Sequence, residues 1–244
     1  MSQFDDPGFF GEQWADDYDD ICETDPGPAV DFLAELAGAG RVLELASGTG
    51  RVTVPLAARG VRVSALEGSA EMVAKMREKP GGRDIPTIVG DMADIALTGP
   101  FDVVYLLFNT FFNLTDPARQ RRCLRNATRV LAPGGALVLE CYVPDPSAYP
   151  RGEHVRAIRV LDDRVALEAY RFDLSTQTFV SQKIFIDERG GVRLRAHSER
   201  YCWPAELDLM AELEGLRLAA RYAGWDRRAF GADSRDHVSV YRKP

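Results

Sequence analysis

The sequence contains few cysteines and histidines, and it lacks a long hydrophobic run. Its 244 residues include four cysteines and three histidines. Cys22, Cys123, Cys141 and Cys202 are scattered and form no C-x-x-C pair, which predicts reduced core thiols rather than disulfides or a zinc site. No run of about 18 apolar residues is present, so we expect no transmembrane helix.

The amino terminus also lacks the order of a signal peptide. Its first residues, MSQFDDPGFFGEQW, are acidic and do not place a positive segment before an apolar one. We therefore expect a cytoplasmic protein.

Basic residues are absent from the first 40 positions. Eleven acidic residues and no Lys or Arg lie there, so the net charge of −7 is concentrated in this segment. We predict a solvated acidic segment, with attraction of a cationic or amine substrate as the alternative. Five arginines between Arg119 and Arg129 predict a solvated helix face, and we expect no nucleic-acid partner.

Residues 41–143 alternate between strand and helix patterns. The predicted strands cover residues 41–45, 61–66, 85–89, 101–107 and 136–143. Helices are predicted between them, with Ser69 and Asp116 as N-caps. This order predicts a mostly parallel sheet with helices on both faces.

The pattern changes near residue 150. Four segments then alternate apolar and polar residues, at 155–160, 164–172, 179–187 and 192–201. Turn-forming groups separate them, which predicts an antiparallel meander inserted at about 150–201. A helix at 204–213 and closing strands at 218–225 and 237–242 follow.

A glycine-rich turn follows the first predicted strand. Its sequence is Ala46-Ser47-Gly48-Thr49-Gly50, and glycine allows the backbone to approach a ligand closely. Ligands in open α/β sheets bind beyond the carboxyl ends of the strands. Glu67 and Asp91 end the next two strands, which favours an adenine nucleoside over a dinucleotide. The alternative, an NAD-binding fingerprint, needs a glycine where Thr53 stands.

These motifs resemble those of class I S-adenosylmethionine (SAM)-dependent methyltransferases. The motifs Gly90-Asp91-Met92 and Leu131-Ala132-Pro133-Gly134-Gly135 contribute to the resemblance, while Ala46 departs from the family's usual glycine. The resemblance implies an α/β fold with a Rossmann-like seven-stranded methyltransferase sheet and an inserted antiparallel β meander. The position of the meander resembles that in aminosugar N-methyltransferases and related tailoring enzymes.

The resemblance also implies which residues bind SAM. Gly48 would contact the ribose and methionine through its main chain, and Glu67 would accept both ribose hydroxyls. Asp91 would accept the adenine amino group, and Glu44 would hold the loop and the methionine amino group. The full predicted cofactor-binding set is Tyr18, Glu44, Ala46, Ser47, Gly48, Gly50, Glu67, Asp91, Met92 and Phe108.

Residues 1–40 are predicted to form a helical lid over a methyltransferase domain at 41–244. An aromatic and acidic segment containing Trp14 and Tyr18 resembles the helix that precedes the core in small-molecule methyltransferases. The resemblance implies that Tyr18 points toward the sulfonium. The alternative is that both aromatic residues only anchor the lid.

The acceptor site is the least specified part. Phe111 and Phe112 either line an apolar acceptor pocket or pack beneath the adjacent helix. His154 begins the insertion and is the candidate catalytic base, since an imidazole titrates near neutral pH. Tyr142 and Tyr149 are further pocket candidates by position.

We therefore expect SAM-dependent methyl transfer to the nitrogen, oxygen or carbon of a small molecule in secondary metabolism. No acid that could start a metal site follows the fourth strand, so we predict no metal. Two alternatives remain: a methyltransferase that acts on RNA or protein, and a non-catalytic cofactor-binding module. An exposed edge of the meander could pair two chains as a homodimer.

Overall fold

The computed structural model describes residues 3–22, 24–145, 147 and 152–244. The helices are α1 Phe9–Trp14, α2 Tyr18–Ile21, α3 Gly27–Ala37, α4 Thr53–Ala58, α5 Ala70–Glu78, α6 Pro117–Val130 and α7 Pro204–Leu213. The strands are β1 Arg41–Leu45, β2 Arg62–Glu67, β3 Thr87–Val89, β4 Phe101–Leu106, β5 Leu131–Tyr142, β6 Gly152–Val160, β7 Arg164–Asp173, β8 Thr178–Asp187, β9 Val192–Arg200, β10 Arg217–Tyr222 and β11 Asp236–Arg242.

A seven-stranded sheet forms the centre, in the order β10-β11-β5-β4-β1-β2-β3. Its strands are parallel except for β11, which runs antiparallel to both of its neighbours. Leu33 and Leu56 pack on one face of this sheet, and Leu124 and Leu207 pack on the other. Because both faces are covered, the central strands have nearly continuous apolar sequences. The predicted α/β sheet is confirmed.

The inserted segment forms a separate antiparallel sheet in the order β6-β7-β8-β9. Alternate residues of β7, such as Ala166, Glu168 and Tyr170, are buried, which matches the period of two expected for a strand with one covered face. Helix α1 lies against this sheet. The Ala196 N–H donates to Gln13 Oε1 at 2.9 Å, and the rings of Trp14 and Phe185 are 6.2 Å apart.

Both predicted N-caps are confirmed. Ser69 Oγ accepts the Met72 N–H at 3.2 Å, and Asp116 Oδ1 accepts the Ala118 N–H at 2.7 Å. The segment at 133–135 differs from its prediction as a loop that ends a helix. Strand β5 already begins at Leu131, which pairs with Phe101. Residues 132–135 of β5 then bulge opposite the single residue Asp102 of β4, and pairing resumes between Val103 and Ala136. A bulge adds a residue without ending the pairing.

The acidic amino-terminal segment is not a free solvated chain. Asp5, Asp17 and Asp19 form ion pairs with basic residues of the rest of the chain, Arg119, Arg195 and Lys79. These pairs hold the segment against α5, α6 and β9. All four cysteines are free thiols, and three of them are buried. No helix in the described ranges is long and apolar enough to span a membrane.

Candidate active site

The turn after β1 has left-handed backbone conformations at Ala46, Gly48 and Gly50, with φ values of 56°, 56° and 76°. A Cβ on Gly50 would lie 2.5 Å from Met76 Cγ, so packing against α5 excludes a side chain there. Ala46 adopts its conformation despite a Cβ, which costs about 1–2 kcal/mol for an L-residue. The family's preference for glycine at this position has the same steric reason.

Glu67, at the end of β2, holds this turn in place. Its Oε2 accepts the Gly48 N–H at 2.6 Å, and its Oε1 accepts the Ser69 N–H at 2.9 Å. The residue is 7% exposed, and burial raises the pKa of its carboxyl group. Each carboxylate oxygen has a second lone pair, so both can still accept hydrogen bonds from a ligand.

Glu44 lies on β1, two residues before the glycine-rich turn, and is buried. Its Oε2 accepts hydrogen bonds from the hydroxyls of Thr53 and Tyr105, the latter at 2.8 Å. Burial raises the pKa of Glu44 to about 8. The carboxyl group therefore connects β1 to α4 and β4. It reaches only a small pocket beside the turn, which Ser47 also lines.

A cavity of 580 Å³ lies at the strand tips, beneath the amino-terminal segment and beside β8 and β9. Its volume falls within the range of small-molecule sites. The predicted cofactor-binding residues that line it are Tyr18, Ala46, Gly48, Glu67, Asp91, Met92 and Phe108. Ser47 and Glu44 lie beside it, and Gly50 serves the packing of α5 instead.

Asp91 has a partner that the sequence did not indicate. Its Oδ2 accepts a hydrogen bond from Arg119 Nη2 at 2.7 Å, and its Oδ1 accepts one from the Ala93 N–H at 2.8 Å. Arg119 also donates to the Asp5 carbonyl at 3.2 Å. The Arg119 side chain is only 15% exposed, so its assignment to a solvated helix face is wrong. It connects the third strand tip to the amino-terminal segment.

Tyr18 lies over the glycine-rich turn. A Cβ on Gly48 would be 3.9 Å from its Cε1, and Phe10 packs edge-on at 6.0 Å. Burial raises the pKa of the Tyr18 hydroxyl, which therefore stays protonated. Trp14, the last residue of α1, is 3% exposed and packs against Arg195 of β9.

The structure places several acceptor-site candidates elsewhere. His154 lies on β6, at the opposite edge of the four-stranded sheet from β9, and does not line the cavity. Its ring is 5.8 Å from that of Tyr170. Phe111 and Phe112 are fully buried in the core beneath α6, so the packing alternative is correct. Tyr149 lies outside the described residues.

The cavity instead contains another histidine, which the sequence analysis did not select. His197 Nε2 is 2.6 Å from Glu199 Oε1, and the Tyr142 hydroxyl donates to Glu199 Oε2 at 2.9 Å. His197 and Glu199 both line the cavity. Their i, i+2 spacing on a strand was a sequence signal that both face one side. His154 is nearer in the chain to the core, but the sheet order places β9 next to the cavity.

Two further acids line the cavity. Glu140 Oε2 accepts the Phe108 N–H at 2.9 Å, and its Oε1 accepts Trp225 Nε1 at 2.7 Å. Asp236 also lines the cavity, and burial raises the pKa of both carboxyl groups. An acid within the otherwise apolar strand at 136–143 was the available sequence signal for Glu140.

Comparisons with known proteins identify the family of this chain. The methyltransferase domain family matches residues 42–135. The cypemycin N-terminal methyltransferase of a Streptomyces species is 31% identical over 207 residues, which cover 83% of this chain and 82% of that protein.

Solved structures give the same result over nearly the whole chain. The CcbJ methyltransferase from Streptomyces caelestis superposes with a TM-score of 0.92 at 40% identity, covering 98% of this chain and 99% of that one. SAM-bound CalS10, an amino pentose methyltransferase from Micromonospora echinaspora, gives a TM-score of 0.70 at 23% identity over 93% and 94% of the two chains. The chain belongs to the SAM-dependent methyltransferases.

Proposed function

We propose that this methyltransferase transfers the SAM methyl group to the nitrogen of a small-molecule amine in secondary metabolism. The observation that carries the proposal is a single cavity lined both by strand-tip acids and by a His–Glu pair. The first group suits an adenine nucleoside. The second can accept a proton from an amine.

The residues at the donor end fit SAM. Gly48 presents main chain without a Cβ, and both Glu67 oxygens retain a lone pair for the ribose hydroxyls. Leu66 and Met92 line the cavity on either side of Glu67 and Asp91 and would contact the adenine. Asp91 would accept the adenine amino group with its remaining lone pairs, while Arg119 fixes its orientation.

SAM supplies a methyl group on a positively charged sulfur, which an acceptor displaces in line. The protein contributes alignment of the two reactants and exclusion of water. We assign residues 1–40 the role of a lid over the domain at 41–244, with Tyr18 above the reacting centre. The half-buried ring of Tyr18 over Gly48 supports that role.

An amine acceptor must lose its proton before it can attack. His197 is the candidate base, because Glu199 holds its Nε2 and leaves Nδ1 for a substrate proton. Glu199 would stabilise the imidazolium that forms. His197 replaces His154 in this role because His197 lines the cavity.

The acids of the cavity favour an amine over a hydroxyl substrate. Glu140, Glu199 and Asp236 line the cavity and would attract an ammonium ion. The name of the cypemycin N-terminal methyltransferase points to an amine acceptor for that relative.

Calorimetric titration with SAM tests the donor site. Glu67→Ala should weaken SAM binding by about tenfold or more, since it removes hydrogen bonds to a charged group. Glu78→Ala, on the exposed end of α5, is the matched control and should bind like the wild type. Absence of SAM binding by the wild type, or equal affinities of the two variants, would contradict the donor assignment.

Paired acceptors test the amine assignment. Primary amines and their alcohol isosteres would be incubated with the protein and SAM, and methylated products would be detected by mass spectrometry. We expect products from amines only. Methylated alcohols in the absence of methylated amines would overturn the proposal.

A cytoplasmic location and a homodimer remain predictions. The outer side of the four-stranded sheet supports the homodimer, because Val160, Val192 and Leu194 are 73%, 59% and 62% exposed. Exposed apolar patches of this kind favour association. Light scattering during gel filtration measures the oligomeric state directly.

A further inference from the structure

We propose that Trp14, Lys183 and Arg195 form an anion subsite that binds a carboxylate of the acceptor. The acceptor class is then an amine that carries a carboxylate. This inference rests on the proposed function, and it restricts the acceptor to a smaller class of amines.

The three side chains form one cluster. The Arg195 guanidinium carbon lies 4.5 Å from the centre of the Trp14 ring, and Lys183 Nζ lies 5.0 Å from it. Lys183 and Arg195 are partners in the β8–β9 register, so both point to the same face of the sheet. Trp14 and Lys183 line the cavity.

The cluster contains more hydrogen-bond donors than acceptors. Trp14 Nε1 and Arg195 Nη1 are buried and have no hydrogen-bond partner in the described part of the chain. Within the same ranges, Lys183 is in no ion pair or hydrogen bond; its ammonium contacts the Trp14 ring. A buried donor left without an acceptor costs about 1–3 kcal/mol.

Asp17 does not satisfy these donors. Its Oδ2 accepts Arg195 Nη2 at 2.6 Å and lies 3.8 Å from Arg193 Nη1, while its Oδ1 is buried without a partner. A second carboxylate, Glu168, lies opposite Lys183 in the β7–β8 register and pairs with Arg156 at 2.6 Å. Two carboxylates therefore share this face with four cations, Arg156, Lys183, Arg193 and Arg195. Like charges directly opposite each other in a sheet are destabilising. An added anion would relieve this repulsion and accept from the free donors.

The position of the cluster favours the acceptor as the source of this anion. His197, the proposed base, is two residues from Arg195 along β9, which corresponds to about 7 Å of strand. The donor would lie against Gly48 and Glu67, on the other sheet. A carboxylate on the cluster and an amine at His197 would orient one small molecule toward the donor.

Nuclear magnetic resonance can detect an anion at this cluster directly. The protein has three tryptophans, so its indole N–H signals are few, and Trp203→Phe and Trp225→Phe assign the Trp14 signal by elimination. The probes are propionate and its neutral isostere propionamide, titrated at constant ionic strength. We expect a saturable Trp14 shift with propionate that is about tenfold tighter than with propionamide, because charge-assisted hydrogen bonds are stronger.

Variants at Lys183 test whether its positive charge binds propionate. Lys183→Gln should weaken propionate binding by about fivefold or more, whereas Lys183→Arg keeps the charge and should bind like the wild type. Arg189→Gln, an exposed cation in the hairpin between β8 and β9, is the control and should change nothing. No saturable shift, equal binding of the two probes, or no effect of Lys183→Gln would overturn the proposal.

Two further measurements separate this subsite from the donor site. S-Adenosylhomocysteine should leave propionate binding unchanged; competition between them would assign the cluster to the donor's own carboxylate and overturn the proposal. Lys183→Gln should retain SAM affinity by calorimetry. Loss of SAM binding in the wild type would refute the proposed function while the propionate result still decides the subsite.

Discussion

The seven-stranded and four-stranded sheets both line the cavity, the first with the ends of its strands and the second with side chains from one of its faces. The parallel sheet is covered by helices on both faces, so it offers only its strand tips, with main chain at Gly48 and single acids such as Glu67. The antiparallel sheet has one face toward the cavity and offers side chains from within its strands, among them Lys183, His197 and Glu199.

This difference divides recognition between the sheets. Strand tips are defined by the topology and suit a reactant common to the whole family. Side chains on a strand face can be exchanged without altering the backbone, and they suit an acceptor specific to one enzyme. The comparison predicts that changes in the four-stranded sheet affect turnover and acceptor binding, while changes at the tips affect SAM binding and stability.

The largest expected effect is on turnover. His197→Ala should lower the rate of amine methylation by about a hundredfold or more, the usual contribution of general base catalysis. SAM affinity should remain unchanged, because His197 lies on β9 of the four-stranded sheet and not at the strand tips of the parallel sheet. Release of S-adenosylhomocysteine measures the rate, and calorimetry measures the affinity.

His154→Ala is the control for this experiment and should retain full activity, since His154 lies at the far edge of the sheet. A loss of activity in His154→Ala, with His197→Ala active, would restore the first candidate. Full activity in both His197→Ala and His154→Ala would place the base at a different group.

A smaller effect concerns the attachment of the amino-terminal segment. Arg119→Gln should reduce the free energy of unfolding by about 1–3 kcal/mol, because it removes a cation that pairs with the partly buried Asp5 and Asp91. Arg122→Gln, three residues along the same helix, breaks an exposed pair with Asp94 and should cost less than about 0.5 kcal/mol. Chemical denaturation compares them; equal losses would contradict the assigned difference.

Stability should also depend on pH through Glu44. Its folded pKa of about 8 lies above the ordinary 4.5, so the unfolded chain releases this proton at lower pH. Its contribution to stability is complete below pH 4.5 and decreases as the pH rises toward 8. Burial raises the pKa of Glu67, Glu140 and Asp236 in the same direction.

Glu44→Gln removes one of these titrating groups while preserving its shape. Its melting temperature should fall less steeply between pH 4.5 and 8 than that of the wild type. Glu78→Gln, on the exposed surface, should follow the wild-type curve. Parallel curves for wild type and Glu44→Gln would contradict the raised pKa.

The smallest effect is expected at the glycine-rich turn. Ala46→Gly should stabilise the fold by up to about 1 kcal/mol, because glycine adopts a positive φ without steric cost while losing more entropy on folding. Ala74→Gly, at an exposed position within α5, should instead destabilise by about 1 kcal/mol. Thermal melting distinguishes the two signs.

The sequence alone determined the parallel sheet, the inserted meander and the strand-tip residues that line the cavity. These follow from local patterns: apolar runs bounded by Gly48, Glu67 and Asp91 define strand tips, and tips of parallel strands converge wherever the chain forms such a sheet. The helix caps at Ser69 and Asp116 were equally predictable, because each involves atoms within three residues.

Only the tertiary structure decided which side chains of the four-stranded sheet line the cavity. The order β6-β7-β8-β9 brings His197, and not His154, to the cavity. Arg119 likewise reaches Asp5 across 114 residues. Such neighbours depend on how distant strands and helices pack, and the residues around each of them in the chain contain no information about which partner they will meet.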